Sequence, residues 1–508
     1  MPPRPKRHSL PAESGRALTL DSGPDAFDPL GGDGPLLFLG LGPEPAALPD
    51  WFPEAGDGAA FVERRETEAA LGPEFTAAIP EHFRRLKPEE LTPGLFRSRH
   101  VLAFRQNMRL APSFWGPILA RHGLALLAPP PARPVVWLPG DEHGLLFREL
   151  EAAFTAQGLT ARRVPADPAA LPALLRDERP LLFFSVNFRG LDAHGEAFHL
   201  LDQAGVTVAA WCVDNPFHLL SGIKAGFWTA LRLFVTDRWF LEPLRRLGAG
   251  HVEHLPLALD PAFAAPGPLP ERVGPLAGRL LFVGRSAFPD RAGFFAGARV
   301  PENLLAEARD LLAAGERPDF AWWAGRLGIA ALWPGNEARR AGLGADESGR
   351  FWRALCLGRA PGLTVIGDDG WRDLLPGADL RPPVDYYGGL AAAYREAACC
   401  LNVTNLILPS GLTQRHFDVW GTGGFLLSDA NPGLDIFPAG LTRSVTFHRA
   451  EDIPGLFKRF APDSREKRDL ARAWREELAA RHTYARRVAQ VLASTGLERP
   501  RPKPEIGT

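Results

Sequence analysis

The stretch from Ala398 to Phe437, ACCLNVTNLILPSGLTQRHFDVWGTGGFLLSDANPGLDIF, admits few folds. Cys399 to Val403 is an apolar, strand-like run, and Pro409, Ser410 and Gly411 mark a loop. Leu412 to Trp420 reads as a helix, Gly421, Gly423 and Gly424 break it, and Phe425 to Leu427 is a second apolar strand ending at Ser428-Asp429. Strand, loop, helix, glycine break and strand make a βαβ unit, whose parallel strands need a sheet covered on both faces. Backbone N–H groups at the start of a helix suit a diphosphate, which directs attention to Gly411, Leu412 and Thr413. Arg415 lies one turn in, and Asp418 follows on the same helix face. A cation for phosphate and a carboxylate for ribose hydroxyls is what a sugar nucleotide requires. The plain alternative is an ordinary βαβ unit with a solvated arginine and aspartate.

The same alternation runs back along most of the chain. Apolar runs at 135–138, 181–186, 206–213, 233–235 and 252–257 read as strands, and 145–157, 192–204 and 239–247 read as helices. A second series opens at Leu280-Leu281-Phe282-Val283-Gly284-Arg285 and continues through a strand at 363–366 into the central stretch. Between them, the Pro/Gly-rich segment 261–277 reads as a linker and hinge. Alternating strands and helices imply doubly wound parallel sheets, whose polar residues gather at strand C-terminal ends. The expected fold is therefore α/β, with two Rossmann-like domains at 133–262 and 278–495 facing a cleft. A small α/β extension is expected at 34–132 and a disordered tail at 1–33, which is rich in Pro, Gly, Ser and charge. Residues 81–126 read as helices with polar breaks. The strand 36–39 runs into Gly40-Leu41-Gly42, but the third glycine of a dinucleotide fingerprint is missing, so a tight turn is the better reading.

Composition narrows the function. Among 508 residues the formal net charge is −1, so nothing draws the chain as a whole to nucleic acid or anionic membrane. No apolar run approaches the ~18 residues of a membrane span, and the basic N-terminus lacks a signal-peptide core, so a cytoplasmic location is expected. Four cysteines without CxxC spacing argue against a disulfide framework and a zinc site. Asp368-Asp369 is adjacent rather than spaced and does not read as a metal site.

The run Arg415-His416-Phe417-Asp418, followed by Gly423-Gly424-Phe425-Leu426-Leu427-Ser428-Asp429, resembles the C-terminal domain of GT-B glycosyltransferases, and most closely the spore maturation protein CgeB-like branch. Asp418 stands where that family usually has Glu. FVGR at 282–285, Asp214-Asn215-Pro216 after a strand and His482-Thr483-Tyr484 near the C-terminus extend the resemblance over 135–491. It implies a metal-independent enzyme that takes a nucleoside-diphosphate sugar as donor substrate and carries no permanent cofactor. It implies donor contacts at Arg285, with Arg291 a second candidate, and at Gly367, Trp371, Gly411, Leu412, Thr413, Arg415, Asp418, Gly423 and Gly424, with Trp371 bordering the base. Many retaining relatives carry a second carboxylate eight positions before the first; here that place holds Ser410.

Glycosyl transfer with inversion also needs a base to deprotonate the acceptor. Asp141, Glu142 and His143, in the loop after the strand 135–138, and Asp214, at another strand end, are the candidates, and imidazole has the pKa best suited to the task. The acceptor stays open between a protein such as flagellin, a surface glycan and a small molecule. A sugar-nucleotide epimerase on the same fold, and a binding or assembly protein that has lost catalysis, are the alternative functions.

Overall fold

In the computed structural model, residues 8–497 are described apart from 57, 128, 142, 143, 145 and 264–267. The chain forms two compact units. One is drawn from Met1–Gly144, Thr160–Ala209 and Gly222–Leu231, and the other from Leu145–Leu159, Ala210–Ser221 and Arg232–Thr508.

Nineteen strands among the described residues are β1 (Ser9–Pro11), β2 (Ala17–Thr19), β3 (Phe27–Gly31), β4 (Leu36–Leu39), β5 (Ala60–Val62), β6 (Arg84–Arg85), β7 (His100–Phe104), β8 (Ala132–Pro139), β9 (Thr160–Val164), β10 (Arg179–Val186), β11 (Thr207–Cys212), β12 (Arg232–Val235), β13 (His251–His254), β14 (Leu280–Val283), β15 (Leu363–Ile366), β16 (Asp379–Arg381), β17 (Cys399–Asn402), β18 (Leu426–Asp429) and β19 (Thr446–Phe447). They make a small hairpin and three separate sheets, ordered β3-β7-β4-β5-β6, β13-β12-β11-β10-β8-β9 and β16-β15-β14-β17-β18-β19. The two six-stranded sheets are the Rossmann-like pair expected from the alternation. Their inner strands are buried on both faces, as Leu280 to Phe282 and Leu233 to Val235 illustrate, which explains why these runs are apolar rather than alternating.

Two expectations are corrected. Residues 8–33 do not form a disordered tail: β1 and β2 pair, β3 lies antiparallel on β7, and Leu10, Leu20 and Phe27 join a buried core. The apolar residues in that polar segment anchor it. The stretch 81–126 is not all helical, because His100 to Phe104 inserts as β7 between β3 and β4. Its apolar run is too short for periodicity to separate strand from helix.

Gly40 and Gly42 sit at the end of β4 with φ of +82° and +64°. Asn107 fills the space above the first, where a Cβ would lie 2.7 Å from its Oδ1, and donates to the Leu39 carbonyl at 2.7 Å. Glu63 accepts the Leu41 N–H at 2.8 Å, and burial pushes its carboxyl up to about 7. The motif is a structural turn braced by Asn107 and Glu63.

The third sheet carries the largest core. Trp420 stacks on Trp474 at 4.9 Å with an interplanar angle of 5°, which seats the helix Arg465–Arg481 against the helix Arg415–Gly421. Within the expected hinge, 264–267 lies outside the described residues, while Val273 and Leu276 are buried in this core.

Candidate active site

β14 pairs with β15 on one side and β17 on the other. The chain therefore leaves β14 in one direction and returns beside it from the other. In an open parallel sheet, such a reversal leaves a crevice at the strand C-terminal ends, where ligands bind. The segments around it are 283–286 after β14, 367–371 after β15 and 402–415 after β17.

The first two segments are stitched together. Asp368 accepts the Ser286 N–H at 3.0 Å and its hydroxyl at 2.6 Å, and the Gly370 N–H at 3.1 Å. Gly367 is required by close approach, since a Cβ there would lie 2.5 Å from the Gly284 carbonyl oxygen. Trp371 is buried, donates its indole N–H to that carbonyl at 2.8 Å and packs edge-on against Phe282. Its position is that of a prop beneath the turn.

Two arginines donate to the segment 283–286, which itself carries Arg285. Arg285 is exposed. Arg353, on the helix Glu337–Gly358, donates to the carbonyls of Arg285 and Ser286 at 3.0 and 3.3 Å. Arg415 donates to the Val283 carbonyl and, at 2.9 Å, to Asn402 Oδ1, and stands over the Phe282 ring. Burial first, and then neighbouring cations that include Arg415, lower Arg353 to about 10; burial also lowers Arg415. Crowding cations in a desolvated place favours an anion there. Arg291, by contrast, is engaged by Asp346 and Glu347.

The helix after β17 starts later than the sequence suggests. It spans Arg415–Gly421, not Leu412 to Trp420. Thr413 donates its hydroxyl to Asn402 Oδ1 at 2.8 Å, and its N–H meets His416 Nδ1 at 3.1 Å; these side-chain partners compete with helix for the preceding residues. Gly411 and Leu412 are buried and precede the helix; the Gly411 carbonyl accepts from Asn431 at 2.9 Å. The helix N-terminus therefore lies at Gln414-Arg415 and not at Gly411. Gly423 and Gly424 lie past the other end of the helix, where a Cβ on Gly424 would be 2.6 Å from the Tyr394 carbonyl oxygen.

Asn402 anchors a buried polar network. Its amide reaches the hydroxyls of Thr404 and Ser428 at 3.2 and 3.1 Å. Asp429 accepts the N–H and hydroxyl of Thr404 at 2.9 and 2.8 Å and pairs with Arg317 at 2.7 Å. Burial lowers His416 to about 4, so the ring is neutral. The sequence reading passes over Asn402 as part of an apolar strand; a lone amide at a strand's C-terminal end is the signal that marks it.

Asp418 is 1% exposed and has its hydrogen-bond partners in Tyr386 and Gln414, accepting from the tyrosine hydroxyl and Gln414 Nε2, each at 2.7 Å. Burial pushes it up to about 8 despite both bonds. The next residue, Tyr387, donates to both oxygens of buried Glu149 at 2.8 and 2.9 Å, and Arg148 lies 4.2 Å from the Tyr387 ring centre. Arg148, Tyr386 and Tyr387 line, with Asp260 and Phe263, a pocket of about 260 Å³. The adjacent tyrosines carry no periodic signal that sequence reading could use.

Of the candidate bases, Glu142 and His143 lie outside the described residues. Asp141 and Asp214 are exposed, after β8 and β11. Beside Asp214, Asn215 donates to the Ile407 carbonyl at 3.0 Å. Asp237, after β12, accepts the N–H of Ser410 at 2.9 Å and also its hydroxyl. Elements before residue 240 thus hold the loop at 405–411 in place. Among the described residues no group of three His, Cys, Asp or Glu side chains is placed to hold a metal ion, and no helix is long and apolar enough to cross a membrane.

Residues 348–493 match a family model described as glycosyl transferase-like. No curated protein sequence matches the chain. Solved structures similar to it include a glycosyltransferase from Rickettsia africae, at 8% identity over 71% of this chain and 98% of that one, with a TM-score of 0.43. Another is the Anabaena protein HepE in complex with UDP and glucose, at 9% identity over 72% and 99%, with a TM-score of 0.41. A third is the β-glucosyltransferase of phage T4, at 7% identity over 72% and 99%, with a TM-score of 0.38.

Proposed function

We propose that this chain is a GT-B-type glycosyltransferase that moves a sugar from a nucleoside-diphosphate sugar to an acceptor without a metal ion. The observation that carries the reading is the convergence of Arg285, Arg353 and Arg415 on the carboxyl end of β14, with the last two inside the segment that matches the glycosyl transferase-like model. In transfer, negative charge grows on the departing diphosphate as the glycosidic bond breaks. Fixed cations aimed at that charge stabilise the transition state more than the ground state. Arg285 and Arg415 take this role, and Arg353 holds the 285–286 backbone in place. Gly284 and Gly367 let the phosphates approach the backbone closely.

Asp418 serves the ribose indirectly. Its hydrogen bond from Tyr386 fixes the direction of that hydroxyl, which leaves the Tyr386 oxygen able to accept from a ribose hydroxyl. Asp214, exposed beside the loop-holding Asn215, is the carboxylate assigned to the acceptor, with Asp141, Glu142 and His143 as alternatives for the same proton. The acceptor is a protein, a surface glycan or a small molecule. A second reading, a binding protein that has lost catalysis, draws on Ser410 standing where a second carboxylate would be.

A thermal-shift series tests this reading, using UDP, GDP, dTDP and CMP and their sugars with NAD as control. One nucleotide is expected to stabilise the protein, by about 2.7 kcal/mol at a hundredfold excess over its Kd. Nucleotide-sugar hydrolysis or transfer then separates the enzyme from the binding protein. Turnover of donor to an isomer, without acceptor, would identify the epimerase.

A further inference from the structure

A cavity of about 440 Å³ lies in the first unit, lined by Met108, Leu119, Pro172 and Leu200 together with Asp192, His194 and Glu196. That volume is within the range of small-molecule sites, ~300–1,000 Å³. Its polar lining comes from Asp192, His194 and Glu196 alone. Asp192 is committed to its own turn: one oxygen accepts the N–H groups of His194 and Gly195 at 2.9 and 2.7 Å, and the other that of Ala197 at 2.8 Å. The charges that act on His194 are Asp192 on one side and Arg109 and Lys224 on the other, with Glu196 two residues along the same segment. Burial shifts the Glu196 carboxyl up toward its neutral form, and neither Arg109 nor Lys224 lines the cavity, so neither an ammonium nor a carboxylate gains a strong partner there. Burial lowers the imidazole below its ordinary value, so it offers one N–H donor and one nitrogen acceptor, a match for a hydroxyl.

We infer that this cavity binds an uncharged apolar molecule through a single hydroxyl, with the apolar body between Leu119 and Leu200 and the hydroxyl on His194. An alcohol is what a glycosyl acceptor presents. Identifying this molecule as the acceptor rests on the function proposed above; the binding site does not.

The test is calorimetry with octan-1-ol, octylammonium and octanoate, which share one body and differ in head group. Two variants accompany the wild type. Gly123 lines the cavity, and a Cβ there would make ordinary contact with Leu200, 3.8 Å from its Cδ1. Gly123→Leu therefore places its side chain in the cavity, and melting temperature checks the fold. Octan-1-ol is expected to bind at least tenfold more tightly than either ion. Gly123→Leu should abolish this binding at unchanged or higher melting temperature, and His194→Ala should reduce alcohol affinity about tenfold. Equal or tighter binding of an ion, no binding of any probe, or undiminished binding to Gly123→Leu would overturn the inference. None of these outcomes bears on nucleotide binding, so the proposed function stands or falls separately.

Discussion

Single residues carry most of the chemistry, and several do something other than their sequence context suggests. Asp418 reads as a ligand-facing carboxylate, yet it is buried and capped by Tyr386. Spacing placed it on a helix, but nothing in the sequence shows a tyrosine thirty-two residues earlier filling the space beside it. If Asp418 acts through Tyr386, Tyr386→Phe and Asp418→Asn should weaken nucleotide binding to a similar extent. The double variant should add little beyond either single change; additive losses measured by calorimetry would show that the two act independently. Glu63 makes a pH prediction. Its folded pKa of about 7 lies above the ordinary 4.5, so the folded state holds a proton that the unfolded state releases between those values. Stability from this group is present below about 4.5 and is lost as pH rises toward 7. The stability of Glu63→Gln relative to wild type should therefore increase by about 3 kcal/mol between pH 4.5 and pH 8. Denaturant unfolding at several pH values measures it, and a flat difference would refute it.

At the scale of elements, strands are where sequence and structure agree best, because runs such as Leu280 to Val283 and Phe425 to Leu427 are apolar on both faces. The agreement fails where side chains redirect the backbone. The residues before Arg415 have helix-compatible composition, but Thr413, Asn402 and His416 bond across the β17 end and delay the helix. Thr413→Val should accordingly cost about 0.5–1.5 kcal/mol, since it removes one hydrogen bond to Asn402 Oδ1, which keeps its bond from Arg415. A loss below 0.5 kcal/mol in denaturant unfolding would mean that the bond does not hold the segment. The short strands β6, β7, β9 and β16 escape sequence reading for a related reason. Their polar or brief runs become strands because neighbouring strands pair with them, on one side for β6, β9 and β16 and on both for β7.

For the whole molecule, the two six-stranded sheets were legible because alternation of strand and helix persists for hundreds of residues. Their switch points follow from strand order, which no local pattern encodes, so the meeting of Arg285, Arg353 and Arg415 could be anticipated only in part. Arg285 and Arg415 were marked by their neighbours, whereas Arg353 sits in a long helix with nothing local to distinguish it. The central claim is that these arginines form a diphosphate site. Calorimetric titration of the stabilising nucleoside diphosphate into wild type, Arg285→Ala and Arg415→Ala tests it most directly, with melting temperatures to confirm folding. Loss of a charge-assisted hydrogen bond of about 1.5–3 kcal/mol predicts affinities ten- to more than a hundredfold weaker in each variant. The wild-type nucleotide affinity retained in both folded variants would contradict the account.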